Sequence, residues 1–316
     1  MTPSTLSLFN RMRSGDPQAL ARLMTYVDNR HEDLLPLMAQ VYDVRQAAMR
    51  IGITGPPGAG KSTLTDKIIS AYRKEGKTVG VIAIDPSSPF SGGAVLGDRI
   101  RMQDHNADAG VFIRSLGSRG AHGGLSRATR DIVQLLDAAG YDVILIETVG
   151  VGQTELDIMS VAQTTLVVLV PESGDTIQTM KAGLMEIADV FVVNKADRDG
   201  ADRIFAELNA LAELHTAADW VVPVYKAVAV KGTGVADILA AIVRHQTYLS
   251  GRPAKFSESL RVQECLDIFS AEIVESIESR LASGEAYEII GNDLSSGRLN
   301  PYAAVAALLQ KITFEK

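Results

Sequence analysis

The chain has 316 residues, of which 46% are hydrophobic: enough for a real core in one large or two modest domains, and too much for wholesale disorder. Lys and Arg number 31 against 38 Asp and Glu, and the net charge of −7 argues against an electrostatic nucleic-acid or membrane-surface binder. The single cysteine, Cys265, excludes an intrachain disulfide and a Cys-rich zinc site, and the apolar runs are far too short to span a bilayer. The first residues lack the charged-then-apolar order of a signal peptide, so a cytoplasmic protein is expected, one that engages neither nucleic acid nor membrane.

Three stretches follow one another. Residues 1–47 read as a helical extension. Leu20, Leu23 and Met24 fall at helical spacing, as do Leu34, Leu37 and Met38, and Asp16-Pro17 offers an N-cap and a first-turn proline. Residues 48–248 alternate amphipathic segments with β-rich runs at 51–54, 78–84, 111–113, 143–146, 166–170, 190–193 and 221–225. Several runs are apolar at every position, as strands covered on both faces are. This predicts an α/β domain with a mostly parallel sheet flanked by helices. Residues 249–316 turn helical. Val262, Leu266, Phe269, Ile273, Ile277 and Leu281 recur at steps of three and four, and Asn300-Pro301 opens a last helix. Periodicity leaves open whether that stripe packs on its own chain or on a second subunit.

Residues Gly55-Pro56-Pro57-Gly58-Ala59-Gly60-Lys61-Ser62 fit the phosphate-loop pattern G-x-x-x-x-G-K-S/T in full, between an apolar run and the helix-like segment that Thr63 opens. Glycines let backbone N–H groups turn inward around a β-phosphate, and the helix start adds its positive dipole end. Lys61 neutralises β- and γ-phosphate charge, and Ser62 offers a hydroxyl to Mg²⁺. Residues 55–63 are thus the expected phosphate-binding set.

Asn194-Lys195-Ala196-Asp197 directly follows the run 190–193. A carboxylate only accepts hydrogen bonds, so Asp197 can take the ring N–H and 2-amino group of guanine together. Facing adenine, a buried carboxylate would stay unpaired, at a selectivity cost of roughly 10⁴-fold. Asn194 is expected to hold the loop, and the Lys195 stem to cover the base.

Glu147, at the end of the run 143–146, is placed to reach the Mg²⁺ shell, and Gly150 lets an N–H approach the γ-phosphate. Val151 stands where Ras-like proteins carry a water-orienting glutamine, so intrinsic hydrolysis should be slow. Asp85 ends a run at the same edge. In the Gly/Ser/Pro-rich stretch behind it, Asp98 is either a group that folds back onto the metal or an incidental acid. Lys181, beyond Pro171-Glu172-Ser173-Gly174-Asp175, is either a phosphate-neutralising cation or a solvated lysine.

The segments ITGPPGAGKSTL, DPSSPFSGGAVLGDRIRM, FIRSLGSRGAHGGLS, ETVGVGQTE, PESGDTIQTMKAG and NKAD together resemble the MeaB/ArgK/MMAA-type GTPases of the SIMIBI class, over almost the whole length. The resemblance implies GTP/GDP and Mg²⁺ as ligands and slow GTP hydrolysis. It implies an adenosylcobalamin-dependent acyl-CoA mutase as partner, with a cobalamin adenosyltransferase as a further one, and a homodimer built through the C-terminal helices. It places Ser62, Asp85, Asp98 and Glu147 around the metal or its waters. Lys61, Asp98 and Lys181 become catalytic groups, with Asp175 and Lys181 working in a third switch. In the loop after the last strand, Val228 stands where the family often has serine, leaving the Ala229 N–H to meet the guanine carbonyl oxygen. His122 and Ala182 also depart from the pattern. Two rivals are a nickel metallochaperone GTPase, which would want Cys/His ligands near the switches, and a nucleotide-dependent kinase, which would want an acceptor pocket and a general base.

Overall fold

The computed structural model describes residues 1–85, 105, 107–117, 127–148, 158–173, 186–214, 220–251 and scattered positions between 262 and 304. Its contacts gather Met1–Ser250 into one unit and Gly251–Lys316 into another.

Three helices open the first unit: α1 (Pro3–Arg13), α2 (Pro17–Asp28) and α3 (Leu34–Asp43). Asp16 caps α2 as its sequence position requires, accepting from the Gln18 and Ala19 amides at 2.8 and 3.2 Å. Seven strands follow: β1 (Met49–Thr54), β2 (Val79–Asp85), β3 (Val111–Gly117), β4 (Val143–Glu147), β5 (Thr164–Leu169), β6 (Val190–Val193) and β7 (Val224–Lys226). All pair in parallel, in the order β3-β2-β4-β1-β5-β6-β7. Among the described residues α4 (Lys61–Lys74), α5 (Arg127–Ala138) and α6 (Ala201–Leu214) lie between strands, and α7 (Val235–Ser250) follows β7.

Strand periodicity sorts the core into two faces. Ile51, Ile53, Val79, Val81, Val143, Leu145, Val190 and Val192 pack with Leu64, Ile68 and Ile69 of α4 and Ile238 and Ile242 of α7. The alternate residues Ile82, Ile84, Ile144 and Ile146 join α5 and the N-terminal helices on the other face. Val167, Leu169, Phe191 and Val193 join α6 there. The N-terminal helices therefore serve as the cover of one half-face, and Leu23, Met24, Leu37 and Val41 are fully or almost fully buried in that role. Gly52 in β1 lets Ile158 approach; a Cβ there would stand 2.6 Å from the Ile158 side chain.

The sheet departs from the expected runs at several strand ends, of which three have a plain physical cause. β3 continues through Arg114 and Ser115, whose backbones pair with Ile82 and Ala83 whatever their polarity. β5 begins at Thr164, two residues early, because both threonines are buried. β7 starts only at Val224. Pro223 lacks an N–H for the ladder, though its carbonyl accepts from the Phe191 amide at 2.9 Å, and Val221 is 61% exposed. In the second unit, Val262, Leu266 and Phe269 of the C-terminal stripe stand more than half exposed in the single chain, while Leu281 lies outside the described residues.

Asp33 ties the start of α1 to the start of α3. Its buried carboxylate accepts from the Thr2 amide at 2.9 Å and from the Thr2 and Thr5 hydroxyls at 2.6 and 2.7 Å. Those donors, Thr2 first and then Thr5, hold the carboxyl well below the usual range. A depressed folded-state pKa contributes stability that is present above the unfolded value, about 3.9, and lost as pH falls below it. Thermal melts should therefore show the midpoint falling below about pH 4. Asp33→Asn should melt lower at pH 7 and lose part of that acid dependence; an acid profile unchanged by the substitution would contradict this role.

Candidate nucleotide site

A parallel sheet delivers every strand's carboxyl end to one edge, and loops there can converge on a ligand. β1 delivers the phosphate loop, β4 Glu147, β6 Asn194 and β7 the turn at Val228 and Ala229. The loop glycines are needed where they stand. Gly55, Gly58 and Gly60 have φ of 135°, 75° and 88°. A side chain at Gly55 would run into the Val168 carbonyl, and one at Gly60 into the Asn194 amide. Pro56 and Ala59 are buried, Pro57 and Gly58 exposed, and Thr63 half-buried behind the loop. Lys61 is buried within the curve, its ammonium donating to the Gly55 and Pro56 carbonyls at 2.8 and 3.1 Å. Helix α4 begins at Lys61 on a left-handed Gly60 with no side-chain cap, so its positive end is directed at the loop.

Glu147 shares its side of β4 with Val143 and Leu145, the face that α4 covers. Its buried carboxylate lies against the first turns of that helix. The Ser62 hydroxyl donates to Oε1 at 2.6 Å, and the Thr65 hydroxyl lies 2.8 Å from Oε2. Hydrogen bonds to a charged group contribute roughly 1.5–3 kcal/mol each, enough to hold a carboxylate that burial alone would disfavour. The sequence reading missed Thr65. The signal was available: three residues beyond Ser62, it lies on the same helix face.

Asn194 joins the turn at Val228 and Ala229 to the loop at 55–62. Its Nδ2 donates to the Ala59 carbonyl at 2.8 Å, and its Oδ1 accepts from the Ala229 amide at 3.0 Å. The amide's orientation is fixed by its neighbours, one offering only an acceptor and the other only a donor. Lys195, at φ 55°, lays its stem back across the loop and donates to the Gly58 carbonyl at 2.7 Å. The Val228 amide bonds the Thr233 carbonyl at 3.1 Å and closes the turn.

Two further features concern the expected base-reading groups. Asp197 is not buried: it is 46% exposed, with the Lys231 ammonium 3.7 Å away. The carboxylate lies at the exposed rim of the loop. The Ala229 N–H, expected to meet a guanine carbonyl, is already engaged by Asn194. Asp85 ends β2 opposite Gly117 of β3, at the same edge; its side chain lies outside the described residues. Asp98, Lys181, Gly150, Val151, Asp175, His122 and Ala182 also lie outside them.

Comparison with known proteins decides the family. A family model described as methylmalonyl-CoA mutase-associated GTPase MeaB matches residues 20–284. The chain belongs to the MeaB family of P-loop GTPases. GTPase ArgK of Escherichia coli is 35% identical over 289 residues, covering 88% of this chain and 86% of that protein. The mouse protein named methylmalonic aciduria type A homolog, mitochondrial, is 32% identical, covering 96% of this chain and 78% of its own. Among solved structures, one named LAO/AO transport system kinase superposes with a TM-score of 0.68 at 28% identity, covering 98% of both chains.

For this family member, Asn194→Ala should leave the Ala59 carbonyl and Ala229 amide without their partner, at about 2 kcal/mol or more. The melting temperature should fall and GDP affinity should drop at least about 10-fold, read by thermal melts and fluorescent-GDP titration. Unchanged GDP affinity would separate Asn194 from the site.

Proposed function

We propose that this MeaB-family GTPase uses the difference between its GTP and GDP states to gate cofactor loading and to protect or reactivate an adenosylcobalamin-dependent acyl-CoA mutase of the methylmalonyl-CoA mutase type. The observation that carries the nucleotide half is the convergence of Lys61, the Ser62–Glu147 pair and the Asn194 bridge at one sheet edge. The partner half is supported by the family, whose description is mutase-associated.

The donor set fits Mg²⁺. A serine hydroxyl and a carboxylate 2.6 Å apart are hard oxygen ligands, the kind this cation takes beside phosphate oxygens. Ser62 and Glu147 would hold it, with Asp85 and Asp98 as further acids of the shell. When bound, Mg²⁺ would neutralise charge on the β- and γ-phosphates. Lys61 would exchange its two carbonyl partners for phosphate oxygens and stabilise charge as the phosphoryl group leaves. The loop amides and the α4 terminus would fix the phosphates for in-line attack by water. Asp98 and Lys181 would complete the catalytic set, Lys181 with the partner bound. Asp197 would read guanine, with Lys195 covering the base and the turn at Val228 and Ala229 walling it. The exposed stripe at Val262, Leu266 and Phe269 would be the seam of a cytoplasmic homodimer.

Three measurements test this reading. Lys61→Ala should lower GTP turnover by about 10²–10³-fold, since a preorganised charge stabiliser is lost; retained turnover would remove Lys61 from the chemistry. Asp197→Asn should weaken GTP and shift preference toward xanthosine nucleotides, whose extra carbonyl suits an amide donor; an unaltered preference would exclude Asp197 as the selector. Phosphate release from GTP should rise when an acyl-CoA mutase is added. Transfer of phosphate to an acceptor, or stoichiometric nickel binding, would replace the chaperone reading.

A further inference from the structure

Thr65 is fully buried on the inner face of α4, one turn beyond the phosphate loop. Its hydroxyl oxygen stands between two acceptors, 2.8 Å from Glu147 Oε2 and 3.0 Å from the Lys61 carbonyl four residues back. A hydroxyl has one hydrogen, so it serves one acceptor fully at a time. A carboxylate outcompetes a neutral carbonyl for that hydrogen, because charge-assisted bonds are roughly twice as strong. The carbonyl remains within reach as the reserve partner, the back-bond a helical threonine ordinarily makes.

We propose that Thr65 is a positioning residue for the carboxylate on the metal side of the site. Its hydroxyl clamps Glu147 Oε2 while the Ser62 hydroxyl serves Oε1, so the carboxylate cannot rotate freely against the helix. Glu147 turns toward the cation when nucleotide and metal enter, and the Thr65 hydroxyl, keeping its hydrogen, then donates to the Lys61 carbonyl instead. No buried hydroxyl is stranded in either arrangement, and the carboxylate returns to a fixed seat when the metal leaves. The device rests on the reading that Ser62 and Glu147 hold Mg²⁺. It adds a residue that touches neither metal nor nucleotide yet sets how well the metal is held. Partners of this kind behind a ligand typically change metal affinity 10–100-fold when removed.

The test uses the full chain with bound fluorescent GDP. GDP release is followed in EDTA and over a Mg²⁺ series, and Mn²⁺ affinity is read separately by electron paramagnetic resonance. Thr65→Val keeps the shape and deletes the hydroxyl. It should raise the half-saturating Mg²⁺ and Mn²⁺ concentrations about 10-fold while leaving release in EDTA as in the parent. Thr65→Ser restores the hydroxyl and should return both to within about 2-fold. Where the valine variant does not fold, Thr65→Ala against Thr65→Ser makes the same comparison. Metal dependence that is identical with and without the hydroxyl, or a serine variant shifted as far as valine, overturns the proposal. Glu147→Gln separates the two layers. A metal shift in Glu147→Gln with none in Thr65→Val defeats Thr65 alone. No shift in Glu147→Gln defeats the metal reading beneath it.

Discussion

The side-chain amide of Asn194 is the interaction on which the site depends. It spans two loops that the chain makes 135 and 35 residues apart from it, giving a hydrogen to the Ala59 carbonyl and taking one from the Ala229 amide. Among the described residues neither backbone group has a strand or helix partner, so the bridge both satisfies them and fixes the distance between the loop at 55–62 and the turn at Val228 and Ala229. Gly60 is part of the same arrangement, because any side chain there would collide with the amide. A nucleotide must fit a span set before it arrives, and preorganisation of this kind lowers the ordering cost of binding.

The span is rigid because the elements beneath it are. β1, β5 and β6 lie inside the sheet with almost every side chain buried, and Leu64, Ile68 and Ile69 of α4 and Ile238 and Ile242 of α7 join their residues in one packed cluster. The same strand alternation that builds the core aims Glu147 at the start of α4, where Ser62 and Thr65 wait with hydroxyls. Packing and chemistry are thus set by one period-2 pattern. By contrast Asp197 is left at the rim, where water keeps it solvated until a ligand covers it. The site combines a buried, hydrogen-bonded carboxylate at Glu147 with an exposed one at Asp197.

Much of this was legible in the sequence because it rests on local rules. Glycines at positive φ, an N-capping aspartate before proline and all-apolar runs each have a direct structural cause, and 190–193 is a strand with the boundaries its composition gave. The misses have a common origin in partners supplied by distant segments. Arg114 and Ser115 are strand residues because β2 offers them a ladder, which no count of apolar residues detects. Pro223 shortens β7 because the ladder needs an N–H it lacks. The engagement of the Ala229 amide and the approach of Thr65 to Glu147 are tertiary facts. The first is invisible in the loop's own residues, and the second is hinted at only by helical spacing from Ser62.

In the proposed function, one sheet edge holds a guanine nucleotide through phosphate-loop amides, a buried ammonium and a carboxylate at the rim. Titration calorimetry of the unaltered chain with GDP and ADP, each with Mg²⁺, tests it most directly. GDP should bind at one site per chain and ADP at least about 10³-fold more weakly, since the carboxylate would be covered without donors to pair it. Equal affinity for the two, or heat from neither, would contradict it.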